Sequence, residues 1–222
     1  MLTQHAPDLW TETAPHTMIG VQFGARMTVV RLPDGRVWIH SPLALTDARK
    51  AEVAAIGPIG AIVAPNLFHH LYAGHWAAAF PDAQLHLAPG LEKKRPDLQG
   101  TSLGGADPWR GTLDAALVDG FRMMETTFFH APSRTLICCD LVANLAPSDH
   151  TWTRFYSWMT GLEDAPSVNR IIRGAVNDKA AARRSIDALI ARDPVRVILA
   201  HGRVIEGEGA AGLRQAWSWL TC

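Results

Sequence analysis

The sequence lacks net charge: its 222 residues carry 21 basic and 21 acidic side chains, a formal charge of zero. Nucleic-acid backbones and anionic lipid surfaces select a positive field, so neither a nucleic-acid nor a membrane partner is expected. Cysteine is scarce. Of three, Cys138 and Cys139 are adjacent and Cys222 is terminal, which offers no disulfide framework. A bond between neighbours closes a strained ring, so Cys138 and Cys139 read as apolar strand residues. No apolar run is long enough to span a bilayer; the longest weakly polar stretch, 53–64, contains Gly57, Pro58 and Gly60. The opening MLTQHAPDLWTETAPH has no basic cluster followed by an apolar segment, the mark of a secretory leader, and a cytoplasmic protein is expected. A nucleotide fingerprint is missing too, because GTSLGG has neither the GxGxxG spacing nor a strand leading into a helix.

What is present is 48% hydrophobic residues, enough for one domain over residues 1–222. Strands are expected at 18–23, 26–32 and 36–40, with Pro33, Asp34 and Gly35 turning a hairpin. Thr46 and Asp47 can cap a helix to about Ile56, and a buried strand follows at 61–64. A helix at 71–80 and a strand at 84–88 continue the alternation, and 100–111 is a loop by composition. Strands at 123–130 and 135–141 flank a turn at 132–134. Helices at 152–162, 178–191 and 210–220 and a strand at 195–200 complete the chain. Two β-rich halves wrapped by helices predict a four-layer α/β sandwich, not a doubly wound sheet.

Four positions stand at the ends of apolar strands: His40 after RVWI, His69 and His70 after AIVAPNLF, Asp140 after RTLICC, and His201 after RVILA. Sheet architecture gathers such ends at one edge, which makes a metal cluster possible. A single histidine there more often bonds a backbone carbonyl than a metal. Asp140 is more informative, because it interrupts the apolar run TLICCDLVANL and a buried carboxylate needs a metal, a cation or several donors. Arg26 or Arg134 is the ordinary structural partner to weigh against a metal, and capping of the following turn is another. His75 reads as a helix-face residue and His86 as a strand residue. Trp10, Trp38, Trp76 and Trp109 read as core or core-edge residues.

The run AIVAPNLFHHLYAGHWAAAFPDAQLHLAPG resembles the first signature of the metallo-β-lactamase superfamily, a strand leading into His-x-His-x-Asp-His and then a helix. In that register Pro65 and Leu67 stand at the first two histidines, His69 at the aspartate and His70 at the last histidine. RTLICCDLVANL is similar to the later strand ending in a metal-bridging aspartate, which places that role on Asp140, with Cys139 in place of the usual glycine. VRVILAHGRVIEG is similar to the closing strand, whose histidine is His201 here. VWIHSP resembles the early strand and turn, with His40 in place of an aspartate. The middle histidine has no match, since His130 sits within a hairpin. IVAPN with HH, PGLEKKRPDL, SRTL and ILAHG together resemble an uncharacterised branch of these proteins.

The resemblance implies a four-layer αββα metallo-β-lactamase-like fold. It also implies that the ligands of one metal position are lost while the other survives as His69 or His70 with Asp140 and His201, His70 holding the metal and His69 orienting water or substituting as a ligand. At most one divalent ion is then expected, zinc foremost, with iron or manganese compatible with the same donors. The implied function is a mononuclear metal-dependent hydrolase of a small molecule, with His69 and Asp140 as catalytic residues. The alternative is a non-catalytic, metal-free descendant that binds a small molecule or serves a structural role.

Overall fold

A computed structural model describes residues 1–105, 108–162 and 164–221. Two antiparallel strands, β1 (Thr3–Ala6) and β2 (Leu9–Ala14), begin the chain where no strand is expected from composition. They turn at Asp8, whose φ is 62°. The single strand expected at 18–23 is instead a small hairpin of β3 (Thr17–Met18) and β4 (Val21–Gln22). Ile19 and Gly20 at its tip have φ of 53° and 76°, a conformation that no continuous strand accommodates. Then follow β5 (Ala25–Arg31), β6 (Val37–His40), helix α1 (Asp47–Ala54), β7 (Ile59–Ala64), α2 (Ala73–Ala79), β8 (Gln84–Leu87) and the short α3 (Leu91–Lys94). As the capping signal predicts, Thr46 accepts the backbone N–H of Arg49 at the start of α1.

The loop expected at 100–111 holds the two-residue β9 (Thr101–Ser102), and its positions 106 and 107 lie outside the described residues. An unanticipated strand, β10 (Leu113–Leu117), precedes β11 (Thr126–His130), and a 3-10 turn at Ala131–Ser133 leads to β12 (Thr135–Ile137). The remainder comprises α4 (Thr151–Thr160), α5 (Arg170–Arg173), α6 (Lys179–Ala191), β13 (Arg196–Ile198), β14 (Ile205–Glu206) and α7 (Gly209–Thr221).

One sheet runs β1-β2-β5-β6-β7-β8-β9 and the other β10-β11-β12-β13-β14. In the first, β6, β7, β8 and β9 pair in parallel, and in the second β12 and β13 do. Three apolar cores separate four layers, as the expected αββα sandwich requires. Val53 of α1 with Ala73 and Trp76 of α2 cover the outer face of the first sheet. Ile186 of α6 with Leu213 and Trp217 of α7 cover the outer face of the second. Trp38, Val63, Trp109, Phe128, Ile137 and Ile198 interdigitate between the sheets. Burying side chains on both faces of each sheet explains why β7 and β12 read as continuous apolar runs. Among the described residues, no helix is long and apolar enough to cross a membrane.

Candidate metal centre

The carboxyl ends of β6, β7, β12 and β13 open onto one edge of the sandwich, and the polar residues that follow them meet there. His69 Nε2 lies 3.4 Å from Asp140 Oδ2, and His201 Nε2 lies 3.4 Å from Asp140 Oδ1. Ligand atoms of these residues all fall within 4.8 Å of one another. Metal bonds of 2.0–2.2 Å at tetrahedral angles place donor atoms roughly 3.3–3.6 Å apart, the spacing at which each imidazole approaches the carboxylate, so the group could hold one ion.

Each side chain is held from behind. His69 Nδ1 bonds Ser41 Oγ at 2.8 Å, and His201 Nδ1 donates to the Gly24 carbonyl at 2.8 Å. Both Nε2 atoms are thereby turned toward Asp140, as second-partner bonds do for metal-binding imidazoles. Ser41 has φ of 51°, a strained conformation for a residue with a Cβ, and it delivers the hydroxyl that orients His69. Asn66 donates from Nδ2 to Asp140 Oδ2 at 2.8 Å, and its Oδ1 accepts the backbone N–H of Phe68 and His69, which shapes the turn carrying His69. Gly202, next to His201, has φ of 96°, and a Cβ there would stand 2.2 Å from the Asn144 carbonyl.

Glu125, fully buried before β11, is the residue that sequence reasoning misses. Its Oε1 accepts from the backbone N–H of Cys139 at 2.7 Å and of Leu141 at 3.3 Å; its Oε2 accepts from Asp140 N at 2.9 Å. It thus clamps the segment that presents Asp140. Burial, and then the charge of Asp140, push its carboxyl up to about 7. Burial also opposes ionisation of Asp140, but His69 and His201 outweigh it and hold that carboxyl well below the usual range. The imidazole of His201 is lowered by burial and raised by its bond to Asp140, with a net rise. His16, also without a sequence signal, lines the same cavity; burial first, then His201 and His69, lower its pKa.

Other expected participants lie elsewhere. His70, placed in the ligand set by the signature register, is outside the cluster: its Nδ1 faces Arg95 Nη1 at 3.0 Å. Residues 68–73 form a tight turn, with His70 N bonded to Phe68 O and Ala73 N to His70 O, so the adjacent histidines take different directions. His40 is buried between the sheets, stacked on Trp38 with ring centroids 5.5 Å apart. His130 bonds Ser133 Oγ, and His75 is exposed on α2. Arg26 donates to the carbonyls of Leu199 and Gly202, and Arg134 pairs with Asp193, so neither is the partner of Asp140. Leu67 packs toward the outer core of the first sheet. Cys138 and Cys139 are free and buried, their thiols pushed well up by burial and by Glu125.

The four layers, with polar strand ends gathered at one edge, make up a metallo-β-lactamase-like fold. In structure the chain is similar to the metallo-β-lactamase from Pontibacter korlensis, at 14% identity and a TM-score of 0.67, covering 100% of this chain and 98% of that one. It is also similar to a metallo-β-lactamase from Hirschia baltica, at 13% identity and 0.66, covering 100% and 97%. A further similar structure is the metallo-β-lactamase FIM-1 from Pseudomonas aeruginosa in its mono-zinc form, at 13% identity and 0.67, covering 99% and 95%. At such identities the likeness is one of fold. The chain belongs to a domain family of unknown function, DUF4336, whose model matches residues 7–155. No curated protein sequence matches it.

Proposed function

We propose that this protein is a mononuclear metal-dependent hydrolase in which His69, Asp140 and His201 hold one divalent cation. The observation that carries the reading is the approach of two imidazoles and a carboxylate from three strand ends, with ligand atoms within 4.8 Å. Two nitrogen donors and one oxygen donor leave an open position and suit zinc, and iron or manganese would accept the same set. A bound ion would supply Lewis acidity and lower the pKa of water at neutral pH.

The chain's own residues do the rest. Ser41 and Gly24 fix the imidazoles, and Asn66 and Glu125 fix the carboxylate. His16 lines the same cavity, and we assign it as the group that accepts a proton from water. Pro65 and Leu67, at the positions of the first two signature histidines, cannot ligate, and among the described residues the group that could hold an ion is His69, Asp140 and His201. The mono-zinc form of FIM-1 is a precedent for single occupancy in this fold.

The test is metal content after purification without chelator, followed by zinc titration of the wild type and His201→Ala. One ion per chain, a zinc-dependent rise in Tm, and loss of both in the variant are expected. A chain that retains no metal and shows no zinc-dependent shift would instead be the metal-free descendant, its Asp140 satisfied by two imidazoles and Asn66.

A further inference from the structure

The cluster lines a cavity of about 390 Å³. The rest of the lining is mainly apolar and includes Met18, Leu43, Phe68, Leu71, Met123 and Ile172. The cationic side chain on the wall, Lys94, is engaged: its Nζ donates to the Leu67 carbonyl at 2.5 Å and stands 4.7 Å from the centre of the Phe68 ring. His70, also on the wall, is tied to Arg95. Among the described residues, His69, Asp140 and His201 are the one group on this wall whose ligand atoms gather to hold an ion.

The apolar character continues outward. Met18, Phe68 and Leu71 line the cavity and are also 50%, 53% and 54% exposed, which puts them at its mouth. Beyond Met18, the hairpin tip carries Ile19, 84% exposed, whose carbonyl accepts from the half-exposed Trp152 indole. Isolated exposed apolar side chains need no explanation, but several bordering one cavity mark a ligand surface.

We infer that the site takes acyl compounds with a medium-length apolar chain, the carbonyl at the His69–Asp140–His201 end and the chain along the Met18–Phe68–Leu71 wall. The chemistry rests on the hydrolase reading, whereas the chain-binding surface stands without it. In the reaction the oxygen of water joins the carbonyl carbon and the bond from that carbon to the leaving group breaks. The leaving group departs with one proton, and the second proton passes to solvent from the carboxylic acid product.

The product class supplies the probe. Butanoate, octanoate and dodecanoate, each below its critical micelle concentration, are titrated calorimetrically into the protein in chelator and again with zinc. Burial of each methylene is worth about fourfold in affinity at most, so dodecanoate is expected to bind at least about tenfold tighter than butanoate in both conditions. Phe68→Ser and Leu71→Ser, at exposed positions that leave the cores intact, are each expected to weaken dodecanoate by about three- to tenfold. Saturable binding that is independent of chain length, no binding of dodecanoate, or wild-type affinity in both variants would overturn the inference. Zinc binding is read separately. Chain-dependent binding without zinc binding removes the hydrolase reading and leaves the ligand class standing; zinc binding without chain dependence does the reverse.

Discussion

The carboxylates of Glu125 and Asp140 share one donor: the Asn66 side-chain amide lies 3.2 Å from Glu125 Oε2 and 2.8 Å from Asp140 Oδ2. The environment divides their protonation. Asp140 faces two imidazoles and stays ionised, while Glu125, enclosed behind it, is pushed up to about 7. One carboxylate is available to a cation and the other holds the backbone that presents it.

Glu125→Gln is expected to lower unfolding stability in chelator by about 1–3 kcal/mol, because its one oxygen can keep the N–H groups of Cys139 and Leu141 only by turning NH₂ toward that of Asp140, or the reverse. Urea unfolding measures this. A change under about 0.5 kcal/mol would show that the segment bearing Asp140 holds its shape without the carboxylate.

Asp140→Asn removes the anionic ligand. Zinc affinity should fall by at least about 100-fold, whereas the chelated protein should lose only roughly 1–3 kcal/mol, since Arg26 and Arg134 have other partners and no buried guanidinium is stranded. Titration calorimetry and urea unfolding give the two numbers. Unchanged zinc affinity would remove Asp140 from the ligand set.

Ser41 separates strain from orientation. Replacement by glycine relieves the φ of 51° and should leave stability unchanged or raise it by about 1 kcal/mol, yet the lost hydroxyl should weaken zinc binding by about tenfold or more. Ser41→Ala keeps the strain and loses the bond, so it should lower both. Full zinc affinity in both variants would mean that His69 needs no help from Ser41.

The inter-sheet histidines set an acid limit. Burial lowers His40 to about 3 and His86 to about 4, and His40 Nε2 and both ring nitrogens of His86 have no hydrogen-bond partner among the described residues. Both rings are neutral in the fold and have an ordinary value of 6.5 when exposed. Below that value the unfolded chain binds more protons, so stability falls as the pH drops and the loss is complete only below the folded values. Each ring then costs on the order of 3–5 kcal/mol. Urea unfolding at pH 7 and pH 4.5 should show His86→Leu losing about 2 kcal/mol less than wild type between the two. Equal losses would show that His86 takes up no proton on unfolding.

The sequence by itself determined the repeating elements, because local periodicity and capping chemistry carry them. Apolar runs mark β7, β12 and β13, Thr46 caps α1, amphipathic periodicity marks α6, and the carboxylate of Asp140 stands out against the run it interrupts. Position at a strand end also singled out the pair His69 and His70 and, with them, His201 and the inter-sheet His40. Short, exposed β1 and the paired β3 and β4 have too few residues to show alternation, and they were not legible. Tertiary structure alone decided which of two adjacent histidines joins Asp140, since side-chain direction in a non-repeating turn follows from Asn66 and the Phe68–His70 bond, not from any period. It alone revealed Glu125, whose partners are backbone N–H groups 14 to 16 residues away that any sequence would supply. His16 and Ser41 became site residues the same way, because the sandwich closes strand ends that are far apart in the chain onto one edge.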